Sequence, residues 1–450
     1  MVTIMKKGKA TFSIILVILL CAAMTATGIV VKHRKYNSMM QQVRASIEQD
    51  MSNAEETQPG EEYPLYIVTG DDFVVMRKTA SDEAEEINQV YPGSVVEFMG
   101  DAADGYAYIR GKGSSVAGYI KKENLRESDF IYSLAPLEVV DTESSMYSYE
   151  EMVNDIKQLD EKYDSLSCVS IGKSADGREI YKLSIGNAPK KMLFYGALNG
   201  TDYMTSQLLM KQAEYYAHYM TDGIFEGYKY SDLFSNVQID IIPMANPDGV
   251  CISQLGADII IREDLNEKVK NTFYTDHSYG YSNEIKTLYY NYWKANAQGV
   301  DINRNFSDGF SNSAELKGPS HSGYKGANAF SEPETATLAD AIDNGGYCAV
   351  IGYTAEGGCV TYVGNLENKE TNTFLSRFAT VVSQFTKYPL GGDITSYSRG
   401  GSALLYSTMK GIPTVEIGIS ANKAPLPIND LQEAWIKLRE LAALIAMQML

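Results

Sequence analysis

The hydrophobic and polar positions of this 450-residue chain follow three successive patterns, and each predicts a different segment. The first is an uncharged apolar run at residues 10–31, long enough at about 1.5 Å per residue to cross a membrane as a helix. Basic residues flank this run on both sides, so the positive-inside rule gives no orientation. We expect residues 1–35 to form an uncleaved membrane anchor, with a cleaved signal peptide as the alternative.

The segment after the predicted anchor, residues 36–62, is polar and rich in Gln, Glu, Ser and Met. This composition is typical of a linker. Both interpretations of the N-terminus place the rest of the chain outside the cytoplasm. The predicted localisation is therefore the cell membrane, with a single span and the bulk of the chain on the extracytoplasmic side.

The second pattern covers residues 63–126, where apolar and polar positions alternate over short stretches. Turn residues such as Pro92, Gly93, Asp104 and Gly105 interrupt the alternation. Alternation broken by such turns is typical of short antiparallel strands. A segment of this length therefore predicts a small all-β barrel.

Three stretches of this module, residues 75–77, 90–96 and 118–120, resemble the bacterial SH3-like domain. Relatives of that domain bind cell-wall peptide or pack beside a catalytic domain. The resemblance therefore implies an SH3-like barrel with either of these two roles.

The third pattern begins after a second linker at residues 127–145 and extends over residues 146–450. Continuous apolar strands are predicted at residues 190–200 and 237–249, and helical stripes lie before and between them. Strands that alternate with helices over a segment of this length are typical of an α/β domain.

Composition and charge exclude several classes of protein. The chain is 44% hydrophobic and 21% charged, which excludes a wholly disordered protein. Residues 36–450 contain 33 of the 39 basic residues and all 57 acidic residues, a net charge of −24. A body this acidic is a poor ligand for nucleic acid, so no nucleic-acid partner is expected. Five cysteines without paired spacing predict neither a disulfide framework nor a structural zinc site.

Short segments across the large domain resemble the zinc carboxypeptidases of the carboxypeptidase A kind, including bacterial relatives that trim cell-wall peptides. They are residues 171–180, 242–249, 299–306, 324–335 and 411–418. The resemblance implies a three-layer α/β/α domain with a mixed sheet over residues 146–450.

The same resemblance implies a zinc ion held by two His and one Glu. The matching positions are Asn199, Asp202 and Thr354, with Tyr353 as an alternative to Thr354 under a one-residue shift. None of the four histidines falls at a ligand position: His33, His218, His277 and His321. We therefore expect no cofactor, and expect these polar side chains to hydrogen-bond one another. A weak Ca²⁺ or Mg²⁺ site is the alternative for this oxygen set.

Other positions of the family's site are retained or changed. Glu416 matches the general base, and Asn303 and Arg304 match the pair that binds the terminal carboxylate of the substrate. Tyr397 lies near the position of the family's substrate tyrosine. Gln298 stands where related cell-wall peptidases carry the arginine that polarises the scissile carbonyl, and its neutral amide cannot neutralise an oxyanion.

Three interpretations follow for function. The first is a zinc-less pseudopeptidase that binds peptides with a free carboxylate, such as peptidoglycan stem peptides. The second is an active zinc metallocarboxypeptidase with Glu416 as its general base. The third is a structural protein of the cell wall, for which loss of Arg304 would have no effect on ligand binding.

Overall fold

A computed structural model describes residues 63–69, 74–90, 95–111, 117–127, 137–142, 144, 146–276, 289–312, 316–364, 369–391 and 400–449. The predicted anchor at residues 10–31 lies outside these described ranges, as does the whole of the first linker at residues 36–62. Within the described ranges, no helix has the length and apolar character needed to cross a membrane. The strands and helices below all belong to the unit Leu65–Leu450.

The N-terminal module contains short strands that pair only in antiparallel fashion, as the alternating pattern predicted. Their order in the sheet is β3-β2-β6-β5-β4-β1-β7. Inward-facing side chains such as Met76, Ile109 and Ile120 form a separate small core. The strands are β1 (Leu65–Val68), β2 (Val74–Arg77), β3 (Glu86–Val90), β4 (Val95–Asp101), β5 (Tyr106–Gly111), β6 (Ala117–Lys121) and β7 (Leu125–Glu127).

The large domain is built on a mixed sheet, which confirms the α/β prediction. Its order is β15-β16-β14-β10-β13-β9-β8, and the four strands β16, β14, β10 and β13 are parallel. The remaining pairs are antiparallel. These strands are β8 (Leu166–Lys173), β9 (Glu179–Ile185), β10 (Lys190–Tyr195), β13 (Val237–Ile242), β14 (Tyr347–Glu356), β15 (Val360–Thr361) and β16 (Thr414–Ser420), and a hairpin of β11 (Ile224–Phe225) and β12 (Tyr228–Lys229) lies outside the sheet.

Helices cover both faces of the sheet. In β10, Met192 and Phe194 belong to one hydrophobic cluster, whereas Leu193 and Tyr195 belong to another. Since successive strand residues face opposite sides, the two clusters are the cores of two helical layers. The helices are α1 (Tyr149–Lys162), α2 (Tyr203–His218), α3 (Tyr230–Asn236), α4 (Pro247–Leu255), α5 (Glu263–Asp276), α6 (Pro333–Gly345), α7 (Lys369–Thr386), α8 (Ala403–Met409), α9 (Ile428–Leu438) and α10 (Leu441–Gln448).

Local sequence accounts for several helix boundaries. Helix α1 begins with a capping box, in which the Ser148 side chain and the Glu151 side chain each accept a hydrogen bond from the other residue's backbone N–H. Helix α6 begins with Pro333 in its first turn and ends at Gly346, whose φ of 68° is left-handed.

Candidate functional site

The carboxyl ends of the central parallel strands converge on one edge of the sheet. Strand β10 leads through Asn199 into the turn Gly200–Asp202 that begins helix α2. On the neighbouring strands, the register pairs Gly352 with Glu416 and Thr354 with Gly418. Since residues two apart on a strand share a face, Thr354 and Glu416 project to the same side of the sheet. This edge is where ligands bind in open α/β sheets.

Asp202 is the centre of a buried hydrogen-bond network at this edge, and its side chain is almost fully buried. Its Oδ2 accepts hydrogen bonds from Asn199 Nδ2 at 2.9 Å and from Thr354 Oγ1 at 3.0 Å. Burial raises the pKa of the Asp202 carboxyl to about 6, and the charge of Lys294 opposes that shift. The three side chains thus hydrogen-bond one another, as predicted.

The residues at this corner do not fit a zinc ion. Zinc in proteins is held by imidazole, thiolate and carboxylate groups in a tetrahedral arrangement. Here Asp202 supplies the only such group of the three positions, and the amide of Asn199 and the hydroxyl of Thr354 direct their hydrogens at it. Across the described ranges, no group of three or more His, Cys, Asp or Glu side chains has a metal-binding arrangement.

The chain segment that carries Lys294 packs against this corner through a glycine. A Cβ at Gly200 would lie 2.3 Å from the carbonyl oxygen of Gly249 and 2.5 Å from that of Trp293, so only glycine permits this approach. The Gly200 N–H donates to the Lys294 carbonyl at 3.0 Å. Asn246 adds hydrogen bonds from its Nδ2 to the carbonyl groups of neighbouring segments. Lys294 is therefore held beside Asn199.

A polar cleft of about 380 Å³ opens at this corner. Its lining residues are mainly polar or charged, and two are cationic. They are Asn199, Lys294, Asp301, Asn303, Arg304, Ser322, Gly323, Gly400 and Ser402.

Arg304 is oriented by Asp301 on the cleft wall. Its Nε lies 3.3 Å from Asp301 Oδ2, which also accepts the Gly323 N–H at 3.0 Å. A Cβ at Gly401, whose φ is +78°, would lie 2.2 Å from the Arg304 carbonyl oxygen. That close approach brings Gly400 and Ser402 to the cleft. The Arg304 side chain remains 36% exposed and lines the cleft.

Asn303 connects the cleft to Glu416. The Ala403 N–H donates to Asn303 Oδ1 at 3.1 Å, which directs Asn303 Nδ2 toward Glu416 Oε2 at 3.5 Å. Glu416 itself is 3% exposed and lies within the fully buried strand β16. Asn303 thus lies between Arg304 on the cleft wall and the buried Glu416.

Lys294, which also lines the cleft, belongs to a charged triad. Its Nζ lies 3.2 Å from Glu356 Oε1, and Lys423 Nζ lies 3.1 Å from Glu356 Oε2. Burial acts to raise the pKa of the Glu356 carboxyl, but the two ammonium groups lower it below its usual value. Two cations thus share one carboxylate.

Of the other predicted ligand-binding residues, the structure describes Gln298. Its side chain accepts a hydrogen bond from Lys268 of α5, and its backbone is held in a turn by Asn296 Oδ1. It does not line the cleft. Tyr397 lies outside the described ranges. Sequence reasoning missed Lys294, although a charged residue between the buried Trp293 and Ala295 is a detectable signal.

Curated proteins of related sequence include two bacterial chains. Gamma-D-glutamyl-L-diamino acid endopeptidase 1 of Lysinibacillus sphaericus is 27% identical over 296 residues, which are 64% of this chain and 69% of that protein. A zinc carboxypeptidase of Saccharothrix mutabilis subsp. capreolus is 27% identical over 111 residues, 23% of this chain and 25% of that protein.

Solved structures share the fold of the large domain. Bovine thrombin-activatable fibrinolysis inhibitor superposes with a TM-score of 0.51 at 16% identity, covering 68% of this chain and 97% of that one. Carboxypeptidase A from Helicoverpa armigera superposes with a TM-score of 0.50 at 15% identity, covering 87% of this chain and 98% of that one. The family model for zinc carboxypeptidases matches residues 152–413, more than half of the chain, and the protein therefore belongs to the zinc carboxypeptidase family.

Proposed function

We propose that this protein is a pseudopeptidase of the zinc carboxypeptidase family, which binds peptides through their free terminal carboxylate without cleaving them. The observation that carries the proposal is the contrast between two groups of side chains at the cleft. Arg304 on the cleft wall has an oriented, partly exposed guanidinium group. Beside the lining residue Asn199, Asp202 is held by Asn199 and Thr354 in place of a metal-binding set.

Arginine is suited to the retained role. Its planar guanidinium binds a carboxylate through two parallel hydrogen bonds. Asp301 holds Arg304 from the Nε side, which leaves the terminal nitrogens for the ligand. Asn303 lies next to Arg304 on the same wall and offers an amide N–H to the same carboxylate. These groups account for binding of a carboxylate but supply no activated water.

Hydrolysis lacks a nucleophile in this arrangement. Free water has a pKa near 15.7, whereas zinc lowers the pKa of bound water to about 7. A buried Glu416 beside Asn303 has no water of lowered pKa to deprotonate. The proposal therefore assigns Glu416 a structural role in orienting Asn303.

The proposal also covers where the protein is located and which peptides it binds. Residues 10–31 would anchor the protein in the cell membrane, with the cleft on the extracytoplasmic side. The name of the Lysinibacillus relative specifies a gamma-D-glutamyl-L-diamino acid bond as its target. Peptidoglycan stem peptides are accordingly the peptides that we propose as ligands of this chain.

The test compares two forms of one acetylated tripeptide, Ac-Ala-Ala-Gln, with a free carboxylate or a carboxamide terminus. We expect calorimetry to detect binding of the free acid. The affinity for the amide should be lower by a factor of roughly ten or more. Arg304→Met should remove that difference, whereas Arg262→Met, which removes an exposed arginine paired with Asp264, should retain it. Equal affinity for acid and amide would contradict the proposal. Zinc-dependent cleavage of the free acid would instead support an active peptidase with Glu416 as base.

A further inference from the structure

The cleft contains a second cation that binding of a single terminal carboxylate does not require. Lys294 and Arg304 both line the cleft, and both belong to the segment that Gly200 and Gly401 hold against the strand ends. Arg304 has a role in the proposed function. Lys294 stands beside Asn199, at the corner of the cleft near Asp202.

Lys294, Lys423 and Glu356 form a charged triad beside the buried Asp202 carboxyl. Glu356 is shared: its Oε1 also accepts the Ala424 N–H at 3.2 Å, and its Oε2 pairs with Lys423. Two ammonium groups and one carboxylate give the triad a net charge of about +1. The Lys294 side chain is 31% exposed, and an ammonium group has three N–H donors, so it can bind Glu356 and a ligand oxygen together.

Neither of the nearby carboxylates is paired directly with Lys294. Asp301 binds Arg304 and the Gly323 N–H through its Oδ2. Asp202 receives its hydrogen bonds from the neutral groups of Asn199 and Thr354. Lys294 lines the cleft, and neither of these two acids binds it directly. Its ammonium group therefore favours an anionic ligand group at this position.

We infer that Lys294 is a specificity-determining residue that binds a second acidic group on the terminal residue of the ligand. The inference rests on the proposed function, because Arg304 must bind the main-chain carboxylate for the second group to reach Lys294. A cleft of about 380 Å³ is at the small end of ligand-binding pockets and suits one terminal residue. The expected ligands are peptides that end in a dicarboxylic residue, such as glutamate or aspartate in the L or D configuration.

The experiment measures affinities of the full chain for Ac-Ala-Ala-Glu and Ac-Ala-Ala-Gln by calorimetry, each with an L or a D terminal residue. The two side chains have nearly the same shape and differ in charge. We expect at least one Glu peptide to bind about tenfold more tightly than its Gln counterpart, with a preference that declines at high salt. Lys294→Met should abolish the preference for the Glu peptide over the Gln peptide, and Lys294→Arg should restore it.

The matched control is Lys173→Met. Lys173 lies in strand β8, at the edge of the sheet, and pairs with Glu179 of the neighbouring strand β9. This variant should retain the preference for glutamate. Equal binding of the Glu and Gln free acids would overturn the role of Lys294 and leave the proposed function standing. Binding of neither free acid would overturn both. A preference that persists in Lys294→Met with a folded circular dichroism spectrum would also overturn the inference.

Discussion

Thr354 Oγ1 donates a hydrogen bond to Asp202 Oδ2 over 3.0 Å and so joins strand β14 to the turn before helix α2. The sequence resemblance matches these two positions to metal ligands of the zinc carboxypeptidases. The bond has the length of a normal hydrogen bond, and the Asp202 side chain is buried. The two segments thus meet in a network of neutral donors around one carboxyl group.

The pH dependence of stability should report this network. Burial raises the pKa of the Asp202 carboxyl from 3.8 to about 6 in the folded state. The folded protein therefore keeps this proton at pH values where the unfolded chain has lost it, and the favourable contribution is lost as the pH rises through about 6. In Asp202→Asn this titration is absent. We therefore compare the free energy of unfolding of the variant with that of the wild type. The difference, variant minus wild type, should rise by on the order of 2–3 kcal/mol from pH 4 to pH 7.

Urea denaturation of the two proteins across this pH range checks the prediction. A difference in the free energy of unfolding that does not change with pH would show that Asp202 does not titrate in this range.

Zinc-binding side chains at Asn199, Asp202 and Thr354, the positions that the resemblance matches to the family's ligands, should create a zinc site. Because the strand ends already place the three positions together, the triple variant Asn199→His, Asp202→Glu and Thr354→His should bind one zinc ion per chain. The double variant without Thr354→His should bind zinc much more weakly. Calorimetry with zinc measures both. A folded triple variant that binds no zinc would mean that these positions do not converge as described.

Gly200 should be essential to the position of Lys294. In Gly200→Ala the new Cβ would lie 2.3 Å from the Gly249 carbonyl oxygen, and the backbone on both sides would have to move. We expect a loss of about 1–3 kcal/mol in the free energy of unfolding. At Gly318 a Cβ meets no atom within 4 Å, so Gly318→Ala should change stability by no more than about 0.5 kcal/mol. Equal stability of the two variants would contradict the packing described.

The fold was largely predictable because its determinants are local. The helical stripe that contains Met152 and Ile156 predicted α1, and the apolar run before Asn199 predicted β10. Mutual hydrogen bonding of Asn199, Asp202 and Thr354 was also predicted, since the resemblance aligned these positions and their chemistry favours hydrogen bonds.

The arrangement of the cleft was less predictable because it depends on contacts between distant segments. Gln298 and Lys294 lie four residues apart, and sequence alone does not show which of them lines the cleft. Lys294 does, and its segment is held there by the Gly200 N–H bond to the Lys294 carbonyl, a contact between residues far apart in the chain. The pairing of Glu356 with both Lys294 and Lys423 is likewise a tertiary contact.

A zinc titration of the metal-stripped protein by calorimetry tests the central claim most directly. The account predicts no stoichiometric binding at micromolar zinc, because Asn199 and Thr354 supply no zinc ligand beside Asp202. Tight binding of one zinc ion per chain would contradict it. In that case the ligand positions would have to be reassigned, and Glu416 would become the expected general base of an active peptidase.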